Sequence, residues 1–170
     1  MFDPTAFDNM KVVIEGALYD LDIKGDIIIT DRNDLINLAK MSRSFDVSFQ
    51  LPDGNGTAKV ELKSTLLNLA AELLPSMQTE HQAGCYVRLE FFLEQEKEPN
   101  FYELKDILLN IWGDSRDFSL TSHVHPLDTD QKISIILAVE FGRLVTEDQM
   151  DDLVNMTDFV VTTLERLNIR

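Results

Sequence analysis

The chain has 170 residues, of which 44% are hydrophobic, seven are glycine and five are proline. This length and composition are typical of a single globular domain and exclude a disordered or fibrous chain. Thirty acidic residues against 15 basic ones give a net charge of −15, so we expect neither nucleic acid nor an anionic membrane surface as a partner.

Three features of the sequence indicate the cellular compartment: the cysteine content, the N-terminal residues and the length of the apolar stretches. Cys85 is the only cysteine, so no disulfide can form within the chain, and its apolar surroundings favour a buried, unreactive thiol. The N-terminal residues lack the charged and apolar segments of a secretory signal. No stretch approaches the about 18 apolar residues of a membrane span. We therefore expect a cytoplasmic protein.

The first part of the chain, residues 1–75, predicts a β-α-β-β-α unit. Apolar and β-branched residues predict strands at Lys11–Ile23 and, after a turn at Gly25, at Ile27–Ile29. A capping residue at Asp31, followed by apolar residues at helical spacing, predicts a helix that ends at Met41.

The same unit continues with a hairpin and a helix. Strict alternation of apolar and polar residues predicts strands at Phe45–Leu51 and Thr57–Lys63, joined by a turn at Asp53–Gly56. Ser64 then caps a leucine-rich helix, which Pro75 ends.

A polar connector over residues 76–83 leads to a second unit, residues 84–170. The strand Cys85–Glu94 comes first, and a helix follows between a cap at Asn100 and a stop at Gly113. Two alternating strands come next, at Phe118–Pro126 and Lys132–Phe141. The last helix begins at a capping-box pattern, Thr146–Gln149, and runs almost to the end of the chain.

A repeated motif suggests that the two units are copies. Ser-Arg-x-Phe begins at Ser42 and again at Ser115, and six of the 28 aligned positions between residues 35–62 and 108–135 are identical. We expect an internal duplication of the β-α-β-β-α unit, with both halves in one compact domain. The predicted class is α+β, with two layers: a mostly antiparallel sheet and helices on one face.

Arg43 and Arg116 occupy equivalent positions of the two halves, between a predicted helix and a predicted strand. A cation there can complement the carbonyl end of the helix dipole. The alternative is a pair of arginines that grips a carboxylate or phosphate across a pseudo-twofold axis. Repetition favours the structural role.

His123 and His125 are the most specific candidates for chemistry. On a strand both imidazoles would lie on one face, and a carboxylate from Asp128, Asp130 or Glu140 could complete a metal site. No fixed spacing selects the third ligand, so two solvated histidines are the favoured interpretation and no metal is expected.

The last helix carries an apolar stripe at alternating spacings of three and four residues. Its members are Met150, Leu153, Thr157, Val160, Leu164 and Leu167. Packing on the sheet explains such a stripe, and a coiled-coil seam that joins two copies of the chain is the alternative.

No catalytic motif accompanies these features: the sequence has no Gly-x-Ser-x-Gly and no glycine-rich phosphate loop. We expect a non-enzymatic, acidic interaction or regulatory protein without a cofactor. Its expected partner is another protein, or a second copy held through the C-terminal helix. The alternative is a domain that binds a small ligand or a metal at His123 and His125. Such a domain could either bind only or also catalyse a reaction.

Overall fold

The computed structural model describes residues 5–74, 80–127, 129–130 and 132–168. In chain order the elements are α1 (Ala6–Lys24), β1 (Ile28–Asn37), β2 (Ser42–Gln50), β3 (Thr57–Ser64), α2 (Leu66–Leu73), β4 (Tyr86–Gln95), α3 (Phe101–Trp112), β5 (Asp117–Val124), β6 (Ile133–Glu140) and α4 (Met150–Asn168). Short 3-10 turns lie at Glu80–Gln82 and Glu147–Gln149. The strands form one antiparallel sheet in the order β1-β2-β3-β4-β6-β5. The predicted α+β class is confirmed.

One face of the sheet, here called the inner face, forms the core with the helices. Along the central strands the apolar residues occupy every second position, and these side chains are buried against α1 and α4. The buried strand residues are Phe45, Val47, Phe49, Ala58, Val60, Leu62, Val87, Leu89, Phe91, Ile135, Leu137 and Val139. The opposite, outer face carries the polar residues of the same strands.

The segment Lys11–Ile23, predicted as a strand, lies in the helix α1, so that prediction is wrong. The run Val12-Val13-Ile14 has strand-like composition, but Val12 is 61% exposed and the buried residues follow the helical period. These buried residues are Phe7, Met10, Ile14 and Leu18. Thr5 caps the helix by accepting a hydrogen bond from the Asp8 amide, and Gly25 ends it in the left-handed region at φ 83°.

The helix predicted between Asp31 and Met41 is also wrong, because this segment forms β1 and the following turn. Its apolar residues at helical spacing are exposed, so no core rewards a helix there. Pairing with β2 along the whole strand satisfies the backbone groups on that side of β1 instead, with a bulge between Ile29 and Asp31. The turn is tight: the Asn37 side chain accepts a hydrogen bond from the Lys40 amide at 3.2 Å, and Met41 has φ 51°.

These two errors remove the main support for internal duplication, which is not confirmed. The first half has the order α-β-β-β-α and the second half β-α-β-β-α. Residues 35–38 therefore lie in a strand, while residues 108–111, matched to them in sequence, lie in a helix. The two phenylalanines also differ: Phe45 is fully buried opposite Leu62, and Phe118 is half-buried opposite Val139.

The predicted elements of the second half agree with the structure. The side chain of Asn100 accepts hydrogen bonds from the Tyr102 and Glu103 amides, and Gly113 caps the end of α3. Thr146 opens a capping box before α4. The connector, residues 76–83, contains the 3-10 turn Glu80–Gln82, and Pro75 lies outside the described residues.

The apolar stripe of α4 packs in the core of its own chain. Leu153, Val160, Leu164 and Leu167 are buried against the sheet and α1, and Met150 is half-buried beside them. The prediction that this stripe is the surface of a dimer is therefore wrong, because its side chains already lie under the sheet. The favoured interpretation of the stripe, a helix packed on the sheet, describes the structure.

Leu164→Ala is expected to lower the free energy of unfolding by about 2–5 kcal/mol, because it leaves a cavity in this core. Urea denaturation measures the change. Val154→Ala is the control on the same helix, where the side chain is 39% exposed, and a change within about 0.5 kcal/mol is expected. Equal losses for the two variants would contradict the packing of α4 on the sheet.

Candidate functional site

Exposed apolar side chains gather at one end of the sheet, where β1, β3 and β6 finish and β2, β4 and β5 begin. Half of the exposed large hydrophobic side chains of the described residues lie there. We call this surface the apolar end. It is defined by four residues of the hairpin of β1 and β2 and four of α2 and its end: Leu35, Ile36, Leu38, Met41, Leu66, Leu67, Leu73 and Leu74. Tyr86 of β4 lies beside them, 46% exposed.

The strand register brings the hairpin and α2 together. Ile36 pairs with Arg43, which in turn pairs with Ser64, and α2 begins two residues later. Thr65 caps α2 and forms a capping box with Asn68, which is buried and donates to the Gln82 carbonyl at 2.9 Å. With Asn68 and Ala71 facing inward, Leu66, Leu67 and Leu73 of this short helix remain outside, and Leu69 is half-buried.

The apolar end is much less acidic than the chain as a whole. Residues 35–44 and 63–74 contain three basic residues, Lys40, Arg43 and Lys63, against one acidic residue, Glu72. The net charge of −15 is therefore carried by other parts of the molecule. A large apolar surface with so little repulsive charge is typical of a protein–protein contact.

Arg43 holds α1 beside this surface. Its Nη2 lies 2.9 Å from Asp8 Oδ1, and its guanidinium stands 4.7 Å from the centre of the Phe7 ring. Burial alone would raise the pKa of Asp8, but the hydrogen bonds from Arg43 and Thr5 lower it below its ordinary value. The role predicted for Arg43 at the end of a helix is wrong, because β1 precedes it.

Arg116 makes different contacts. It follows α3, and its guanidinium lies 4.2 Å from the centre of the Phe141 ring. The two arginines pack on different aromatic rings from different elements. The alternative of one anion held by both across a pseudo-twofold axis loses its basis, because the two halves do not share an element order.

Glu72 lies on the inward side of α2, next to the first turn of α1. Burial raises the pKa of this carboxyl, although contacts with Phe7 and Thr5 and the charge of Arg43 oppose the rise. The ionised form of Glu72 therefore weakens the docking of α2 at neutral pH.

The outer face of the sheet is an acidic surface crossed by ion pairs. A row of paired residues runs Asp46, Glu61, Arg88, Glu140 and Asp117 across five strands. Arg88 bridges Glu90, at 2.9 Å, and Glu140, and Lys59 contacts Glu90 at 2.5 Å. Seven acidic residues face this side against three basic ones. The acidic residues are Asp31, Asp46, Glu61, Glu90, Glu94, Asp117 and Glu140.

The two candidate histidines lie at the far end of this face. His123 is exposed on β5 opposite Ser134, on the side of Ser119 and Thr121, and His125 follows the end of the strand. Asp128 lies outside the described residues. In the described part of the chain, no group of three histidine, cysteine or acidic side chains stands close enough to hold a metal ion.

Cys85 lies fully inside the core, at the start of β4. Burial raises the pKa of its thiol to about 12, and the sulfur stands 3.6 Å from the sulfur of Met10. The thiol is therefore protonated and enclosed at neutral pH.

Within the described residues, no helix has the length and apolar character needed to cross a membrane.

Comparisons with protein families, with curated proteins and with solved structures found no match. The properties of the chain itself must therefore indicate its function.

Sequence reasoning recognised α2 as a leucine-rich helix but missed the exposure of its leucines. The signal was present: a helix with apolar residues on nearly every side is either fully buried or has a partner.

Glu72→Gln is expected to raise the midpoint of thermal unfolding at pH 7. The wild-type carboxyl has a raised pKa when folded, so its ionisation penalises the folded state. The penalty is absent below its ordinary value of 4.5, grows as the pH rises toward the raised pKa and is constant above it. The difference between variant and wild type is thus expected at pH 7 and not below about pH 4.

Calorimetry at both pH values measures this difference, and Glu165→Gln, which removes an exposed charge from α4, is the matched control. A Glu72→Gln variant that is less stable than the wild type at pH 7 would contradict the proposed penalty.

Proposed function

We propose that this chain acts by binding proteins and not by catalysis: it associates with a second copy through the apolar end and offers the acidic outer face to a basic partner. The observation that carries the proposal is the apolar end, where eight exposed apolar residues of the β1–β2 hairpin and of α2 with its end lie at the same end of the sheet. Exposed apolar surface of this extent is unusual on a protein that works alone.

A second copy is the occupant best suited to the apolar end. Two chains of −15 repel each other, so contact is favoured where the local charge is least negative. The hairpin and α2 meet this condition, since they carry more basic than acidic residues. A twofold axis near α2 would place the leucines of one copy against those of the other, which buries both sets at once.

The outer face is suited to a different partner. Its excess of carboxylates attracts a basic protein segment, and the ion pairs of Arg88 hold the central side chains in place. The same charge argues against nucleic acid. The single cysteine, buried and unpaired, agrees with a reducing compartment, and we propose that the protein works in the cytoplasm.

Self-association through the apolar end can be tested by mutation. Wild-type protein is expected to sediment as a dimer, with twice the 19.4 kDa of one chain, and more completely as salt screens the repulsion. Leu67→Glu with Leu74→Glu is expected to give a folded monomer, because these side chains are 68% and 75% exposed and the new charges would be buried only in the dimer.

Leu127→Glu is the control, since Leu127 is 96% exposed and lies beyond the opposite end of the sheet. It is expected to remain dimeric. A wild type that is monomeric at every salt and protein concentration would refute the dimer. A double variant that still dimerises would refute the surface.

The partner surface can be tested by charge reversal. Immobilised wild-type protein is expected to retain a basic partner from lysate and to release it as the salt concentration rises. Glu94→Lys with Asp117→Lys, at two exposed positions of the outer face, is expected to abolish retention.

Asp20→Lys with Glu165→Lys makes the same change of charge at exposed positions of α1 and α4 and is expected to retain the partner. If both double variants lose the same protein, net charge and not the outer face determines binding. If both keep it, these positions of the outer face do not bind the partner.

A further inference from the structure

A groove of about 390 Å³ lies between α3, α4 and the segment that joins β6 to α4. We call it the arginine groove; its walls include Trp112, Arg116, Phe141, Arg143, Met156 and Phe159. Its volume is within the range of pockets for small molecules, about 300–1,000 Å³. The ring centre of Trp112 lies 6.0 Å from that of Phe141, edge-on, and 5.9 Å from that of Phe159, so three aromatic rings cluster on one wall.

The two arginines of the groove have no acidic partner in the described part of the chain. Five cations elsewhere form ion pairs with carboxylates, but neither guanidinium of the groove lies within ion-pair distance of one. The Nε of Arg116 is buried and makes no hydrogen bond within the described residues. Arg116 and Arg143 line the same groove. Burial, and then the charge of Arg143, lower the pKa of Arg116 below its ordinary value.

The groove is held in place by its own contacts. Gln149 Oε1 accepts hydrogen bonds from the Thr146 amide and from Arg143 Nη1, both at 3.3 Å. Backbone hydrogen bonds between Cys85 and Val145, at 2.8 and 2.9 Å, fix the segment that carries Arg143. Trp112 Nε1 donates to Thr163 Oγ1 at 3.1 Å, which fixes the ring against α4.

We propose that the arginine groove binds a small organic monocarboxylate with a flat apolar body. The carboxylate pairs with the two guanidinium groups, and the apolar body lies on the aromatic wall, where Phe159 is 49% exposed. Two arginines without a carboxylate partner among the described residues lie beside exposed aromatic surface, in a chain with twice as many acidic as basic residues. An anion supplied from outside explains this arrangement.

The charge of the groove selects a single negative charge. Asp152 also lines the groove, so two cations and one anion leave a balance of one positive charge. A carboxylate neutralises this balance, whereas a doubly charged phosphate leaves an excess of negative charge in a protein that already carries −15. The apolar side chains of the wall favour a ligand whose body is also apolar, because removing such a body from water is favourable in free energy.

Trp112 is the only tryptophan of the chain, so its fluorescence reports the occupancy of the groove directly. The probe is 3-phenylpropionate, titrated into the 170-residue chain, with an expected dissociation constant of about 1 mM or lower. The neutral amide of the same acid and phenyl phosphate are each expected to bind at least about tenfold more weakly.

Arg143→Gln and Arg116→Gln are each expected to raise the dissociation constant about tenfold or more. Arg143 is exposed, so its variant keeps the fold if Arg116→Gln does not. Lys24→Gln, an equal change of charge at the far end of α1, is the control and is expected to bind as the wild type does.

Three results would overturn the proposal: no fluorescence change with 3-phenylpropionate, equal affinity for the acid and its amide, or unchanged affinity in Arg143→Gln. Tighter binding of phenyl phosphate would overturn the assignment to a monocarboxylate. None of these readouts depends on the apolar end or on the outer face, so the two proposals can fail separately.

Discussion

The structure depends on one constraint: a single apolar face of a six-stranded sheet must be covered, and two long helices cover it. Val160 and Leu164 of α4 lie in the same core as Met10 and Ile14 of α1, between the helices and the central strands. Burial of each such side chain stabilises the fold by about 1.5–3 kcal/mol, whereas an exposed ion pair contributes about 0–1 kcal/mol. Burial of apolar side chains therefore contributes more to the stability of the domain than the ion pairs of the outer face.

The same constraint explains where apolar side chains remain exposed. The helices α1 and α4 have 19 residues each and follow the strands, but α2 has eight and lies beyond the end of β3. So short a helix cannot reach over the sheet, and it buries Asn68 and Ala71 while its leucines face outward. Glu72 adds a penalty to the docking of α2 on α1. A weakly held helix with an apolar outer side is stabilised when a second surface covers it.

Much of the second half could be predicted from sequence, because its punctuation is local. Asn100 and Gly113 determine where α3 begins and ends through hydrogen bonds to their own neighbours. The prediction for the first half was wrong where composition and period disagree. Val12 and its neighbours favour a strand by composition, but the buried residues of this segment follow a helical period. The groove could not be predicted, because the sequence marks Arg116 only through the repeated Ser-Arg-x-Phe motif. The tertiary structure brings it to the same groove as Arg143, on a segment that the backbone of Cys85 holds.

The net charge and the local charge of this protein act over different distances, which allows an acidic chain to hold an anion. At physiological ionic strength the field of an exposed charge decays over about 8 Å. Most of the 30 carboxylates therefore act on a distant ligand only as weak repulsion, while the guanidinium of Arg116, packed on Phe141, acts at contact through charge-assisted hydrogen bonds. Packing of an apolar ligand body on the aromatic wall does not depend on the net charge of the protein. A ligand with one charge and a large apolar body thus gains most from the groove and loses least to the field around it.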